Sequence, residues 1–347
     1  MLDPANVTIS YVSPNTTLSA AGDADGDNNL EAGESSGSDV TVSPTAITTL
    51  LNAGTSVTIE AGTDITVDGA IAKTGGGDAT LTLTAGDDVA VNQTIVGGVG
   101  QLGVTITADS DTSSAGNVTI GAVIQTNGGA FSSSGVNYTQ NSAILTNAAS
   151  TNGAVTINHT GTVAINDNVG TSGSLSGAVS VTGTGGITLG GDVYTNGQNV
   201  SFNQAVTLGK TAQVNTGASS AGNVTFANTV NGAYGLTVVA GTGNSTFTGV
   251  LGGTAGLTSL SASGADVSSL PSAMPTPSAF PAPPPLPPPT NSPSPETLIK
   301  PTPPPTLPER DKKSSSPQVP PSPSTPTPKT WNSLPGTCFF PTAATLA

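Results

Sequence analysis

Along most of the chain, apolar residues alternate with Thr, Ser or Ala in short triplets that are separated by Gly, Asn and Asp. An alternation with a period of two is typical of a β-strand with one buried face and one exposed face. The clearest triplets begin at Val57, Ile65, Leu81, Val89, Val104, Val118, Val155, Val163, Val179, Ile187, Val200 and Val224. The pattern therefore predicts a chain of many short, half-buried strands.

The triplets recur at a nearly constant distance. Starts at 57, 81 and 104 are separated by 24 and 23 residues, and starts at 155, 179, 200 and 224 by 24, 21 and 24. In four repeats a second strand begins 8 residues after the first, and a third apolar residue follows 14 residues after it. Three short strands in about 24 residues are typical of one coil of a parallel β-helix. The sequence thus predicts an all-β fold, a parallel β-helix whose coil is expected to be right-handed.

Composition divides the chain into three parts. Residues 1–45 form an irregular segment with an acidic loop, residues 46–270 carry the repeat, and residues 271–347 hold 25 of the 28 prolines. Because proline cannot donate to a strand ladder, the third part is predicted to be a disordered, Pro-rich tail. Residues 127–150 break the rhythm and predict one imperfect coil, with weaker strands at Val136, Tyr138 and Ile144. A β-sandwich is the alternative, but its hairpins do not generate a 24-residue unit.

Charge is distributed unevenly. Residues 1–270 contain 18 acidic residues against two lysines, whereas residues 271–347 carry a net charge of +2. Residues 1–270, which we call the body, are acidic and contain no arginine. The body therefore lacks the positively charged surface needed to bind nucleic acid or anionic membranes. The single cysteine, Cys338, lies in the tail and is interpreted as an incidental thiol.

No stretch approaches the roughly 18 apolar residues of a membrane span. The first residues also lack the basic and apolar regions of a signal peptide. If the protein is exported, we expect its export signal to lie outside this chain, which would then be a fragment of a longer protein.

Several segments resemble bacterial filamentous-haemagglutinin-like exoproteins. The resemblance rests on residues 2–9, on residues 46–59 (AITTLLNAGTSVTI) and on residues 64–83. It implies a right-handed β-helix used in adhesion and exported through a partner outer-membrane pore or as an autotransporter. The chain departs from the family in lacking the N-terminal secretion domain and in carrying a polyproline tail.

One loop has the spacing of a calcium site. Oxygen-bearing side chains occupy positions 1, 3, 5, 7, 9 and 12 of residues 23–34, which is the spacing of an EF-hand loop. The candidate ligands are Asp23, Asp25, Asp27, Asn29, Glu31 and Glu34. Asn28 stands where an EF-hand has glycine, and no amphipathic helix flanks the loop. A solvated acidic loop is therefore the alternative interpretation.

Other candidate chemistry is sparse. His159 is the only histidine and is expected at an exposed corner, since a zinc site needs more ligands than it can supply. β-Helical polysaccharide-degrading enzymes use clustered carboxylates with a cation, but this body has no arginine and two isolated lysines. The adjacent Asp87 and Asp88 are expected to mark a corner. Outward threonines also suggest ice binding, but Ala, Ser and Asn interrupt the array.

These observations predict a non-catalytic structural or adhesion protein, secreted or at the cell surface, with no catalytic residue and no cofactor except a possible Ca²⁺. The expected partner is an extracellular carbohydrate or protein surface, together with an outer-membrane secretion pore for the full-length protein. A calcium-binding surface module is the alternative, and an enzyme of the pectinase class is a third, disfavoured one.

Overall fold

The computed structural model describes residues 4–15, 18, 26, 27, 29, 30, 38–269 and the strand Cys338–Phe339. Part of the predicted irregular segment 1–45 and nearly all of the predicted tail 271–347 lie outside the described residues. The described chain coils through three parallel sheets in turn, each coil adding one strand to each sheet. About nine coils, about 24 residues apart, stack in this way, which confirms the predicted β-helix. The hand of the coil stays a prediction.

The first sheet has ten strands in parallel register. They are β3 (Val57–Ala61), β6 (Ala79–Ala85), β9 (Leu102–Thr107), β12 (Phe131–Gly135), β15 (Val155–His159), β17 (Val179–Gly183), β20 (Val200–Phe202), β23 (Val224–Phe226), β26 (Ser245–Phe247) and β28 (Val267–Ser269). The predicted triplet starts Val57, Leu81 and Val104 pair with one another in the expected register. The starts from Val155 to Val224 do so as well.

The second sheet also has ten parallel strands. In sheet order they are β2 (Val40–Val42), β1 (Asn6–Ile9), β4 (Asp64–Val67), β7 (Val89–Val91), β10 (Asn117–Ile120), β13 (Asn137–Gln140), β16 (Val163–Ile165), β18 (Ile187–Leu189), β21 (Val206–Leu208) and β24 (Val230–Asn231). Two of them, β1 and β2, come from the segment 1–45, so this segment extends the second sheet beyond the first predicted repeat.

The third sheet is built from two runs of short strands. The first run is β5 (Ile71–Lys73), β8 (Ile95–Gly97), β11 (Ile124–Gln125) and β14 (Ile144–Leu145); the second is β19 (Val193–Tyr194), β22 (Ala212–Asn215), β25 (Gly235–Val239) and β27 (Ser259–Ser263). Val169 bridges Ile144 and Val193, so the two runs continue each other. β29 (Cys338–Phe339) pairs with β27 and gives the only antiparallel pairing between the described strands.

One helix, which the repeat pattern did not predict, occupies the end of the third sheet. α1 (Pro44–Asn52) begins after Ser43, whose hydroxyl accepts a hydrogen bond from the Thr45 backbone N–H at 3.2 Å. Such an N-cap satisfies one of the four backbone N–H groups left free at a helix start, and proline is well tolerated at the first helical position. α1 buries Ile47 and Leu51 and packs on β5.

The edges of all three sheets at this end of the stack are covered. The helix lies over the third sheet. On the second sheet, Asn15 covers the edge strand β2, since its N–H donates to the Thr41 carbonyl at 2.9 Å and its carbonyl accepts from the Ser43 N–H at 3.0 Å. On the first sheet, Leu30 donates to the Thr58 carbonyl and accepts from the Glu60 N–H, at 2.9 and 2.7 Å. Covered edges prevent the open strand from pairing with another chain.

The core is a thin column of small apolar side chains. Inward residues such as Ile59, Leu83 and Ile106 are fully buried and stack coil upon coil. At the corner leading into the first sheet the backbones approach so closely that a Cβ on Gly153 would lie 1.8 Å from the Gly129 carbonyl oxygen. Glycine is therefore required at that corner.

Candidate functional site

The structure describes two of the six residues predicted to bind calcium, so it leaves that prediction untested. The four outside the described residues are Asp23, Asp25, Glu31 and Glu34. The Asp27 carboxylate accepts hydrogen bonds from the Asn29 backbone and side-chain N–H groups, at 2.9 and 3.0 Å. The Asn29 side-chain oxygen accepts from the Thr58 N–H at 2.8 Å, which attaches the loop to β3. Among the described residues, no group of three His, Cys, Asp or Glu side chains is placed to hold a metal ion.

An unbroken row of hydroxyl groups runs along the outer face of the first sheet. Each of the ten strands contributes one Ser or Thr at the same register position, and we call this row the hydroxyl column. Its members are Thr58, Thr82, Thr105, Ser132, Thr156, Ser180, Ser201, Thr225, Thr246 and Ser268. Neighbouring strands in a sheet lie about 4.8 Å apart, so the hydroxyls repeat at about that interval.

Most of these hydroxyls are available to a partner. The side chains of Thr82, Thr105 and Thr156 are partly or fully exposed, and within the described residues they form no side-chain hydrogen bond. Ser180 accepts a hydrogen bond from the Asn203 amide at 3.3 Å, and Ser268 contacts Thr246 at 3.5 Å. The interruptions by Ala and Asn that the sequence suggested therefore fall in other rows, and the column itself contains hydroxyls alone.

Polar side chains at the coil corners bind the backbone of the next coil. At the start of the second sheet, Asp64 Oδ1 accepts from the Asp88 N–H at 3.0 Å, and Asp88 Oδ1 accepts from the Asn117 N–H at 2.7 Å. At the start of the first sheet, Asn199 and Asn223 accept from the next coil in the same way, each at 2.8 Å. These corner residues hold successive coils together and satisfy backbone donors that would otherwise lack partners.

The adjacent acidic pair lies at a corner, as the sequence predicts. Asp87 and Asp88 fall between β6 and β7. Desolvation raises the pKa of Asp87, and the negative charge of Asp88 raises it further, as do more weakly those of Asp64, Asp111 and Asp109. This arrangement concentrates negative charge at one corner of the described chain.

His159 is buried, so the expectation that it occupies an exposed corner is wrong. It is the last residue of β15, points inward and is 1% exposed. Its Nε2 lies 3.0 Å from the Ser133 hydroxyl oxygen, and its ring centre lies 5.2 Å from that of Tyr138. Burial lowers the pKa of His159 to about 4, because the charged imidazolium loses its hydration.

Glycines flank the histidine on both neighbouring coils. In the register of the first sheet His159 pairs with Gly135 on one side and Gly183 on the other. The coil before His159 also places Ser133, Tyr138 and Gln140 at inward positions. The Gln140 amide donates to the backbone carbonyls of Asp167 and Asn168 at 3.1 and 3.0 Å.

The Ser133–His159 pair does not have the surroundings of a hydrolytic dyad. Both residues are about 1% exposed, and the Nδ1 atom of His159 has no hydrogen-bond partner. A catalytic histidine needs a carboxylate or carbonyl at that nitrogen and a nucleophile that substrate can reach. The pair therefore contributes to the core, where chemistry on an external substrate is not possible.

Both lysines of the described chain donate hydrogen bonds to backbone carbonyls. Lys73 is fully buried, and its ammonium donates to the carbonyls of Gly75, at 2.9 Å, and Val99. The Lys210 ammonium donates to the Asn166 carbonyl at 3.0 Å. Because the body has no arginine, its described outer surface presents no cluster of positive charge.

Buried threonines close the corner that leads from the third sheet to the first. Thr126 and Thr146 each donate to a glycine carbonyl at 2.5 Å, Thr195 donates to Gln198 at 2.6 Å, and Thr216 donates to Gly222 at 2.9 Å. Ser176 pairs with Thr195 at the same corner, but its buried hydroxyl has no partner. The repeat pattern alone does not distinguish these buried threonines from exposed ones, because threonine is also common at outward positions.

Comparison with known proteins gives no relative: no family model, no curated protein and no solved structure matches the chain. No helix among the described residues has the length and hydropathy needed to cross a membrane. The fold and the arrangement of polar groups on its surface are therefore the basis for a functional proposal.

Proposed function

We propose that this protein is a non-catalytic, secreted or cell-surface adhesion protein whose β-helix serves as a stalk and as a binding surface. The hydroxyl column is the observation that supports it best, because the ten strands of the first sheet present the same polar group to solvent at a regular spacing. Such a surface suits contact with an extended partner along many coils.

The make-up of the body supports the same proposal. Its cations are engaged with carbonyls, its one histidine is buried, and its acids at the corners accept hydrogen bonds from the next coil. At the corners, side chains of one coil bind backbone groups of the next. The stability of a solenoid protein is approximately the sum of such contacts between neighbouring coils.

We further propose that the chain belongs with filamentous-haemagglutinin-like exoproteins, exported through an outer-membrane pore. This rests on the sequence resemblance, which covers about residues 2–270, together with the parallel coil that such a resemblance implies. The stalk would then display its outer face to carbohydrate or protein outside the cell.

The experiment is to locate the protein and to measure adhesion. Antibodies against residues 46–269 are applied to intact, unpermeabilised cells of the source organism, and beads coated with the full chain are offered to host or neighbouring cells. We expect surface labelling that protease treatment of intact cells removes, and adhesion above that of beads coated with heat-unfolded chain. Labelling that requires permeabilisation, together with no difference between the two kinds of bead, would contradict the proposal.

A further inference from the structure

Two shallow grooves lie beside the hydroxyl column, on the same outer face of the first sheet. One, of about 300 Å³, includes Thr80, Gly103 and Ala130 in its lining; the other, of about 450 Å³, includes Ala154 and Ala178. These residues occupy the register position two residues before the column, so they point outward on the same side. The distance between the groove floor and the column is about 7 Å, the spacing of alternate residues along a strand.

The two grooves follow one another along the stack of coils. Ala130 and Ala154 lie on adjacent coils, because the Phe131 N–H donates to the Ala154 carbonyl at 2.9 Å. A hydrogen bond from Gln101 Nε2 to Thr151 Oγ1, 3.3 Å long, joins a residue of the first groove to one of the second. The floor is low over Gly103, Ala130, Ala154 and Ala178, whose side chains are absent or small, whereas Thr80 and the walls are polar.

The walls carry groups that both donate and accept hydrogen bonds. Side-chain amides come from Gln101, Asn152, Asn196 and Gln198, and hydroxyls from Ser150 and Thr151. The amides of Asn196 and Gln198 form no side-chain hydrogen bond with the rest of the described chain. An amide or hydroxyl can pair with a sugar hydroxyl in either direction, so a row of them suits a partner that is rich in hydroxyls.

The charge of the groove lining distinguishes neutral from anionic hydroxyl-rich partners. The single ionisable residue that lines the two grooves is Asp78, whose carboxylate accepts from the Gln101 N–H at 2.8 Å. Of the two lysines in the described residues, one is buried and the other donates to a carbonyl after β16. Sulfated or uronic-acid glycans need arginine or lysine to balance their charge, and the acidic body would repel them.

Building on the proposed function, we propose that the two grooves and the hydroxyl column together bind one extended, uncharged polysaccharide chain. The chain lies along the stack of coils, with its sugar rings over Ala130, Ala154 and Ala178 and its hydroxyls against the amides and the column. A sugar residue of an extended polysaccharide is about as long as the spacing between two coils, so contacts repeat from coil to coil. Binding is the sum of many weak contacts, as in multivalent recognition.

The test is native affinity electrophoresis of the full chain in gels that contain hydroxyethyl cellulose, yeast mannan, dextran or dextran sulfate. We expect at least one neutral polymer to retard the protein and dextran sulfate to leave its mobility unchanged. In the variant Ala154→Glu/Ala178→Glu, side chains fill the groove and retardation falls by about tenfold. Both alanines are exposed, so the fold tolerates the change.

A matched control separates groove filling from the added charge. Ala90→Glu/Ala164→Glu places the same two side chains at outward positions of the second sheet, where we expect retardation within about twofold of the parent. Failure of all three neutral polymers to retard the chain, retardation by dextran sulfate alone, or equal losses in the two variants would each overturn the inference. If the polymers fail while coated beads still adhere to cells, the adhesion proposal stands and only the polysaccharide is wrong.

Discussion

Ser133 and His159 lie on adjacent coils of the β-helix, with the serine hydroxyl oxygen 3.0 Å from the histidine Nε2 and both side chains buried. Ser133 takes an inward position that holds Ile, Leu, Val or Phe on other coils, whereas His159 pairs with Gly135 and Gly183 on the coils beside it. It lies where residues 127–150 interrupt the repeat, so the irregular part of the sequence corresponds to a polar part of the core.

The buried histidine predicts that stability falls in mild acid. Its pKa is lowered to about 4 in the folded chain, whereas an unfolded histidine titrates near 6.5. The stabilisation is fully present above pH of about 6.5 and is lost as the pH falls towards 4, because the unfolded state binds the proton more tightly. We expect the free energy of unfolding by urea to fall by about 2 kcal/mol between about pH 7 and pH 4.5 from this residue alone.

The matched variant for this measurement is Ser133→Ala/His159→Phe, which removes both polar partners together. The carboxylates titrate equally in both proteins, so the difference between the two pH profiles isolates the histidine. Parallel profiles for parent and variant would show that His159 does not carry the effect.

Two buried serines are expected to respond in opposite ways to the same substitution. Ser176 has no hydrogen-bond partner, so Ser176→Ala removes an unsatisfied buried group and raises the free energy of unfolding by about 1 kcal/mol. Ser133→Ala removes the partner of His159 and lowers it by about 1–2 kcal/mol. Urea denaturation of the two variants side by side measures both, and a loss of stability in Ser176→Ala contradicts the assignment.

The corner threonines are expected to stabilise the coil through their hydroxyls. Thr146→Val keeps the shape of the side chain but leaves the Gly153 carbonyl without its 2.5 Å hydrogen bond, at a cost of about 1–2 kcal/mol. Thr207 is an exposed outward residue of β21, and Thr207→Val is expected to change stability by less than about 0.5 kcal/mol. Equal melting temperatures for the two variants would show that the buried hydroxyl contributes nothing.

Calcium titration decides between the two interpretations of residues 23–34. A calcium site predicts heat of binding in isothermal titration and a higher melting temperature, both lost in Asp25→Asn/Glu34→Gln. Asp109→Asn/Asp111→Asn is the control, since it removes two carboxylates from a different acidic corner. A solvated acidic loop predicts no heat and the same melting temperature with and without calcium.

The sequence pattern predicted part of the imperfect coil, residues 127–150. Residues 127–150 do form one coil, with strands at Asn137–Gln140 and Ile144–Leu145 near the predicted positions. Its first strand, β12, was missed because Phe131-Ser132-Ser133 has one apolar residue where the other coils have two. Its neighbours impose the strand through the ladder on both sides.

The repeat, the strand register and the three-sheet coil follow from the amino-acid sequence alone, because a period of two within a period of 24 is a local property of the chain. Which polar residues lie inside depends on how the coils stack. The repeat pattern does not show whether a Ser, Thr, His or Lys points inward. Stacking decides this, because the neighbouring coils supply a partner inside, as Ser133 does for His159 and the Gly75 carbonyl does for Lys73. Likewise, each hydroxyl of the column is an ordinary strand residue in the sequence, and the row exists only because the ten strands of the first sheet align it.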